Sequence, residues 1–93
     1  MKYKLAATAT FDRQYKKIKQ RGYDLDAMAK VVDMLLQGKA LPESYRDHAL
    51  SGNWKGYREC HIQPDWLLIY QVIEDRLILT LVRTGSHSDL FHK

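Results

Sequence analysis

The chain has 93 residues and an apolar fraction of 45%, enough for one domain with a modest core and too little for two. Its single cysteine, Cys60, excludes an internal disulfide and fits a reducing cytoplasm, which is where we expect the protein to reside. The longest uninterrupted apolar run, residues 66–70, is far shorter than the roughly 20 residues that span a bilayer. The apolar run at the N-terminus is too short for a signal peptide. We therefore expect a soluble chain without a membrane partner.

Basic charge is concentrated at the N-terminal end, although the formal net charge is only +4. Residues 1–21 contain one acidic residue, Asp12, and seven basic ones: Lys2, Lys4, Arg13, Lys16, Lys17, Lys19 and Arg21. Such a patch suits a polyanion such as nucleic acid, or an acidic protein. A solvated helix face explains the same charges, and charge alone does not decide between these interpretations.

The first half of the chain predicts a strand and two helices. Residues 2–7 are a candidate strand. Phe11, Tyr15 and Ile18 lie on one helical face, with Thr10 as the expected N-cap and Gly22 as the expected stop.

A second helix is expected from Asp24, its N-cap, to Gly38. Its buried stripe comprises Leu25, Met28, Val32, Leu35 and Leu36. The connection between the helices is very short, which predicts an antiparallel helix hairpin.

The second half predicts a loop over residues 39–55 and then three strands, at residues 56–62, 66–74 and 77–84. Short turns join these strands, so an antiparallel meander is expected, and residues 86–91 could form one helical turn. The predicted order is β-α-α-β-β-β, an α+β fold in a single domain of residues 1–93. The helix pair would cover one face of a mostly antiparallel sheet.

All four histidines, His48, His61, His87 and His92, lie in this second half. The ends of the first and third meander strands meet at one sheet edge, so His61 and Arg83 can converge, with Asp65 between them. We therefore expect one site, on the sheet face away from the helices or at its edge. His92, next to the C-terminus, is interpreted as a surface residue.

These side chains suit cleavage of RNA by its own 2′-hydroxyl. That reaction needs a base, an acid and a cation for the phosphate, and histidine and arginine supply them near neutral pH. An aromatic side chain can stack on a splayed base. Ordinary surface or core positions explain each of these residues individually, and only their convergence would favour catalysis.

A metal site is not expected. Cys60 and His61 are neighbours on a strand and point to opposite faces, and the chain has no Cys-x-x-Cys or His-x-x-x-His spacing. No glycine-rich phosphate loop or Ser/Cys nucleophile motif is present either. The sequence therefore predicts a chain that needs no cofactor.

Two stretches resemble the YafQ toxins of the RelE superfamily. Residues 47–66, DHALSGNWKGYRECHIQPDW, follow the family pattern Asp-His-x-Leu-x-Gly-x-Trp-x-x-x-Arg-x-x-His-x-x-x-Asp. Residues 83–91, RTGSHSDLF, follow the family's ending Arg-x-Gly-[Ser/Thr]-His-x-x-Leu-Phe. A weaker likeness of the helical half extends the resemblance to the whole chain.

The resemblance implies a RelE-like fold and an endoribonuclease that cuts mRNA in the ribosomal A site and thereby inhibits translation. It also implies a co-transcribed antitoxin, with operator DNA bound only through that antitoxin. The family's functional positions fall here on His48, His61, Asp65, Arg83, His87 and Phe91.

Roles within the site follow from the resemblance and the chemistry together. His87 is expected to be the general acid and His48 the general base, with His61 sharing the base role or binding phosphate. Asp65 would orient a histidine, and Arg83 would stabilise the phosphorane charge. Four residues are expected to bind substrate: Phe91, Trp66, Lys55 and Arg58.

Two alternatives belong to other functional classes. The chain could be a ParE-like toxin that inhibits DNA gyrase by binding alone, or a silent member that serves only as a co-repressor with its antitoxin. The set of histidines argues against the first and an intact site against the second.

Overall fold

Three helices and five short strands make up the structure, a computed structural model that describes residues 1–91. In chain order the elements are β1 (Lys4–Ala7), α1 (Ala9–Gln20), α2 (Leu25–Leu36), β2 (His48–Ala49), β3 (Arg58–Gln63), β4 (Trp66–Ile73), β5 (Ile78–Gly85) and α3 (His87–Phe91). Single 3-10 turns occupy Glu43–Tyr45 and Gly52–Trp54. The predicted surface position of His92 lies outside the described residues.

The sheet has the strand order β1-β5-β4-β3-β2. β3, β4 and β5 form the predicted antiparallel meander, and β1 pairs in parallel with β5, so the predicted mostly antiparallel α+β fold is confirmed. β2 was not predicted, because it lies inside the segment expected to be a loop. It pairs antiparallel with β3, His48 opposite Glu59 and Ala49 opposite Arg58. Two residues are too few to produce a recognisable alternation of apolar and polar side chains.

The N-terminus of α1 differs from the prediction by two residues. Thr8, and not Thr10, is the N-cap, because its backbone is extended and its hydroxyl accepts a hydrogen bond from the Phe11 N–H at 3.0 Å. The same hydroxyl donates to the Val82 carbonyl of β5 at 2.7 Å, which ties the start of α1 to the sheet. Asp24 caps α2 as predicted, by accepting from the Ala27 N–H. No helix within residues 1–91 is long and apolar enough to cross a membrane.

The main core lies between the helix pair and one face of the sheet. Helix residues Ile18 and Val31 and strand residue Leu79 are almost fully buried there. Trp66 joins them at 1% exposure, with its ring edge-on to Tyr23 at a centroid distance of 4.9 Å. Burial of this apolar surface is the main favourable contribution to folding. It places α1 and α2 on one face of the sheet, as predicted.

The opposite sheet face, called here the site face, carries a second and smaller apolar cluster. Leu67 and Ile69 of β4 pack there against Leu90 of α3, and Trp54 and Phe91 flank them. This cluster fixes α3 and the loop before β3 onto the site face. The polar side chains of β2 and β3 that share this face stand beside it.

Candidate active site

Strand alternation places His48, Glu59 and His61 together on the site face. Side chains of a strand alternate between faces, so Glu59 and His61 of β3 point one way and Cys60 points into the main core. His48 faces Glu59 across the β2–β3 pair. The His48 Nε2 lies 3.6 Å and the His61 Nε2 lies 3.9 Å from the same carboxylate oxygen of Glu59.

Glu59 was not among the predicted site residues. Its side chain is only 8% exposed, and it is the shared partner of two histidines that the sequence treats as separate. Each imidazole would form an ion pair with this carboxylate once its Nε2 is protonated. Its position two residues before His61 on a predicted strand was the available signal, because that spacing puts both side chains on one face.

Backbone carbonyls set the orientation of both imidazoles. The His48 Nδ1 lies 2.7 Å from the Arg46 carbonyl oxygen, and the His61 Nδ1 lies 3.3 Å from the Pro64 carbonyl oxygen. A carbonyl only accepts, so each Nδ1 carries the donated proton and each Nε2 is left as the basic nitrogen. Arg46 has φ of 50°, an uncommon backbone conformation for this residue type.

His87, at the start of α3, is held by Asp65 from the β3–β4 turn. The His87 Nδ1 donates to Asp65 Oδ1 at 2.8 Å, and the His87 backbone N–H donates to the same oxygen at 3.0 Å. These two hydrogen bonds lower the pKa of the Asp65 carboxyl, the backbone one contributing most. Asp65 thus fixes both the backbone and the imidazole of His87 through one carboxylate oxygen.

The pair formed by His48 and His61 meets His87 on the site face. The His61 and His87 ring centroids are 5.8 Å apart, and the Phe91 ring is 6.3 Å from His87. Arg83 of β5 lies opposite Ile69 of β4, and its guanidinium is 5.0 Å from the centre of the Trp54 ring. Together these residues form what we call the active-site cluster: His48, Glu59, His61, Asp65, Arg83, His87 and Phe91.

A cavity of about 360 Å³ opens beside His61. Tyr45 and Arg46 line one part of it, and Gln63 and Pro64 line another. The cavity thus lies directly next to a histidine of the active-site cluster. It offers an aromatic ring, a cation and an amide to a ligand.

Trp66, predicted to bind substrate, does not fit that role. It is 1% exposed, and its indole N–H donates to Thr84 Oγ1 at 3.0 Å within the main core. No face of the ring is available for a nucleobase. The physical reason is its position at the start of β4, where it points towards the helices.

Arg58, also predicted to bind substrate, points away from the site face. It lies three positions from His61 on β3, and an odd spacing on a strand reverses the face. Its guanidinium donates to Asp47 and to the hydroxyl of Tyr70. Lys55, the remaining predicted substrate contact, is exposed in the loop after Trp54.

Cys60 cannot serve as a nucleophile in the folded chain. It is fully buried in the main core, and this burial raises the pKa of its thiol to about 12. Within residues 1–91, no group of three or more His, Cys, Asp or Glu side chains is arranged to hold a metal ion.

Residues 3–92 match the family model described as "Bacterial toxin of type II toxin-antitoxin system, YafQ". The chain is 37% identical over 82 residues to the mRNA interferase toxin YafQ of Escherichia coli strain K12, covering 87% of each chain. It is 62% identical over 59 residues to the putative toxin YafQ of Haemophilus influenzae, which covers 61% of this chain and 58% of that one.

Solved structures agree with these sequence matches. The E. coli DinJ–YafQ complex contains a chain that is 33% identical, with a TM-score of 0.88 and coverage of 96% of this chain and 98% of that one. A copper-bound mutant toxin from Helicobacter pylori is 39% identical, with a TM-score of 0.90 and coverage of 96% and 99%. The copper is a property of that protein, and residues 1–91 of this chain provide no set of three ligands for it.

Proposed function

Because this chain belongs to the YafQ toxins of bacterial type II toxin–antitoxin systems, we propose that it is an endoribonuclease. Its substrate would be mRNA in the ribosomal A site, and cleavage would inhibit translation in the cytoplasm. The proposed chemistry is acid–base catalysis without a metal ion. The observation that carries the proposal is the meeting of the Asp65–His87 pair with His48 and His61 on the site face.

His87 is the proposed general acid. Asp65 accepts a hydrogen bond from the His87 Nδ1–H, and in the imidazolium form the Nε2–H would give its proton to the leaving 5′-oxygen. Half of the His87 side chain is exposed, which leaves room for a bound phosphodiester. The arrangement resembles other pairs in which a carboxylate orients a catalytic histidine.

His48 is the proposed general base, and His61 shares this role or binds phosphate. In the neutral form of each ring, Nδ1 donates a hydrogen bond to a backbone carbonyl and Nε2 is the nitrogen that can accept a proton. When either Nε2 takes the proton of the 2′-hydroxyl, the neighbouring Glu59 carboxylate stabilises the imidazolium that forms. The proposed acid and bases thus differ in the partner of Nδ1, which is the Asp65 carboxylate for His87 and a backbone carbonyl for His48 and His61.

The substrate phosphate and bases need further contacts. Arg83 would stabilise the negative charge that develops on the phosphorane, and Phe91 would stack on or position a base. Lys55 is exposed and would contact the RNA backbone. The ribosome would supply the substrate geometry that such an open site does not impose.

The proposed partners follow from the family. A cognate antitoxin would bind and neutralise the toxin, by analogy with the DinJ–YafQ toxin–antitoxin complex of E. coli. Operator DNA would be bound only through this antitoxin. The basic residues of positions 1–21 would attract an acidic antitoxin segment or ribosomal RNA.

The decisive experiment compares programmed ribosomes carrying an all-ribose mRNA with ribosomes carrying the same mRNA with one 2′-deoxy nucleotide at the scissile position. We expect cleavage of the first, with a 2′,3′-cyclic phosphate on the product, and none of the second, because the attacking group is missing. Chelation of metal should leave the chemical step unchanged, provided that the ribosome's own magnesium is maintained. Cleavage of the 2′-deoxy substrate at the normal rate excludes the mechanism. Toxicity through DNA damage without RNA cleavage favours a ParE-like binding toxin.

A further inference from the structure

The segment that carries His87 is too short to be stable by itself. α3 has five residues, and isolated helices shorter than about 12 residues are marginal in water. It nevertheless has to hold His87 and Phe91 in place. Contacts with the rest of the chain must therefore supply its order.

A reciprocal cap at the start of α3 supplies part of that order. The Ser86 backbone N–H donates to Asp89 Oδ2 at 3.0 Å, and the Asp89 backbone N–H donates to Ser86 Oγ at 3.1 Å. Gly85 makes the close approach possible, since a Cβ at that position would lie 2.9 Å from the Asp89 Cβ. Asp89 is thus fixed directly behind His87.

A long-range ion pair connects this cap to the other end of the chain. Arg21, which caps the C-terminus of α1, donates to Asp89 Oδ2 at 2.7 Å and to Asp89 Oδ1 at 3.3 Å. This two-point geometry is specific to a guanidinium facing a carboxylate. It joins two residues that are 68 positions apart.

We propose that Arg21 and Asp89 form a clamp that positions α3, and through it His87, for catalysis. Both are positioning residues, because neither belongs to the active-site cluster and Asp89 acts through the cap that begins α3. The effect of the clamp on kcat rests on the proposed ribonuclease function. It also makes the basic helix α1 part of the support of the active site.

The test uses Arg21→Gln, Asp89→Asn and the double variant in single-turnover and steady-state cleavage of ribosome-bound mRNA. Asparagine keeps an oxygen for the Ser86 N–H, so the cap survives while the ion pair is lost. We expect kcat to fall roughly three- to tenfold in each single variant, and the double variant to fall no further, because both changes break one interaction. Arg21→Lys, which keeps the charge without the two-point geometry, should recover part of the loss.

The two single variants change the net charge in opposite directions, which separates positioning from RNA attraction. If Arg21 acted only by attracting RNA, Arg21→Gln would raise KM, Asp89→Asn would lower it, and kcat would stay constant. A clamp lowers kcat in both. Arg76→Gln and Asp75→Asn, both exposed in the β4–β5 turn at the far end of the sheet, are the matched charge controls and should leave kcat unchanged.

Amide hydrogen exchange of Leu90 provides a readout that needs no activity. Its N–H donates to the Ser86 carbonyl at 3.1 Å within α3, and its exchange should become faster in both clamp variants. Unchanged kcat in both variants, or unchanged Leu90 exchange, overturns the clamp. If the wild-type chain cleaves no RNA, the proposed function has failed, and faster Leu90 exchange still decides whether the clamp orders α3.

Discussion

Each histidine of the active-site cluster has one ring nitrogen hydrogen-bonded to a fixed partner, and the roles proposed for the three differ with that partner. The His87 Nδ1–H donates a hydrogen bond to the Asp65 carboxylate. The Nδ1–H groups of His48 and His61 donate to backbone carbonyls, so in the neutral rings Nε2 is the nitrogen that can accept a proton. One protonated and one unprotonated group are what a transfer between a 2′-hydroxyl and a 5′-oxygen requires. If the chemical step limits the rate, the pH profile of cleavage should therefore be bell-shaped.

Replacing the proposed acid gives the most direct test of this division. We expect His87→Ala to lower the rate of cleavage by about 10²–10⁴-fold, because the leaving 5′-oxygen loses its proton donor. Ser88→Ala, at the next exposed position of α3, is the matched control and should retain activity. Growth arrest on expression should disappear with His87→Ala alone. A folded His87→Ala variant that cleaves at the wild-type rate would show that another group is the acid.

The substrate-binding residues show how far residue types alone can mislead. Trp66 and Arg58 were chosen because aromatic rings and cations suit RNA, yet one is buried in the main core and the other faces Asp47 and Tyr70. Alternation on β3 already separates Arg58 from His61. Glu59, by contrast, shares a face with His61 by the same rule. The face of a strand was therefore better evidence than the chemistry of single side chains.

The helices and strands agreed with prediction, except for β2, which the sequence analysis assigned to a loop. The three meander strands lie within two residues of their predicted bounds. β2 exists only because β3 offers it a partner, and β1 is a strand because β5 pairs with it in parallel. α3 likewise contacts distant parts of the chain, at Asp65 and Arg21. A five-residue helix is marginal by itself, so these contacts contribute to its order.

Gly85 provides a test of how closely α3 packs on the end of β5. Its φ is 151°, and an added Cβ would lie 2.9 Å from the Asp89 side chain, so Gly85→Ala combines backbone strain with a clash. We expect a loss of unfolding free energy of about 1–3 kcal/mol in denaturant titrations, together with a lower kcat, because α3 and His87 must move.

Gly22→Ala is the control that separates these effects. Gly22 also has a positive φ, of 80°, but nothing lies within 4 Å of an added Cβ. Alanine there should cost about 1 kcal/mol from backbone strain and leave kcat unchanged. Equal kcat values for the two variants would mean that packing of Asp89 on Gly85 does not position His87.

The stability of the folded chain towards acid should depend on Asp89. Hydrogen bonds from Arg21, the largest effect, hold the pKa of Asp89 at about 2, below its ordinary value of 3.8. A carboxyl with a lowered pKa in the folded state stabilises it above about pH 4, and this contribution is lost as the pH falls towards 2.

Denaturant titrations across this pH range measure the contribution. Asp89→Asn should be less stable than the wild type near neutrality, and the two curves should converge near about pH 2. Some pH dependence will remain in the variant, because the pKa of Asp65 is also lowered by His87. Parallel curves for the two proteins throughout the range would contradict the role assigned to Asp89.

The concentration of basic residues near the N-terminus should make antitoxin binding depend on salt. Seven of its basic residues lie in positions 1–21, so an acidic antitoxin segment would be drawn to that surface. We expect the dissociation constant for the cognate antitoxin to rise as salt increases from about 0.05 to about 0.3 M, because exposed charges are then screened. Asp75→Asn should behave like the wild type. A salt-independent affinity would show that this charge does not contribute.

The sequence by itself determined the helices and the meander, and it named every member of the proposed active-site cluster except Glu59. These features depend on periodicity, turn residues and a spaced motif, all of which act between near neighbours or are preserved as spacing. Only the tertiary structure decided that Glu59 lies between two histidines, that Trp66 belongs to the core and that Arg21 reaches Asp89. These facts depend on strand pairing and on contacts across as many as 68 positions, and no local pattern encodes which distant side chains will meet.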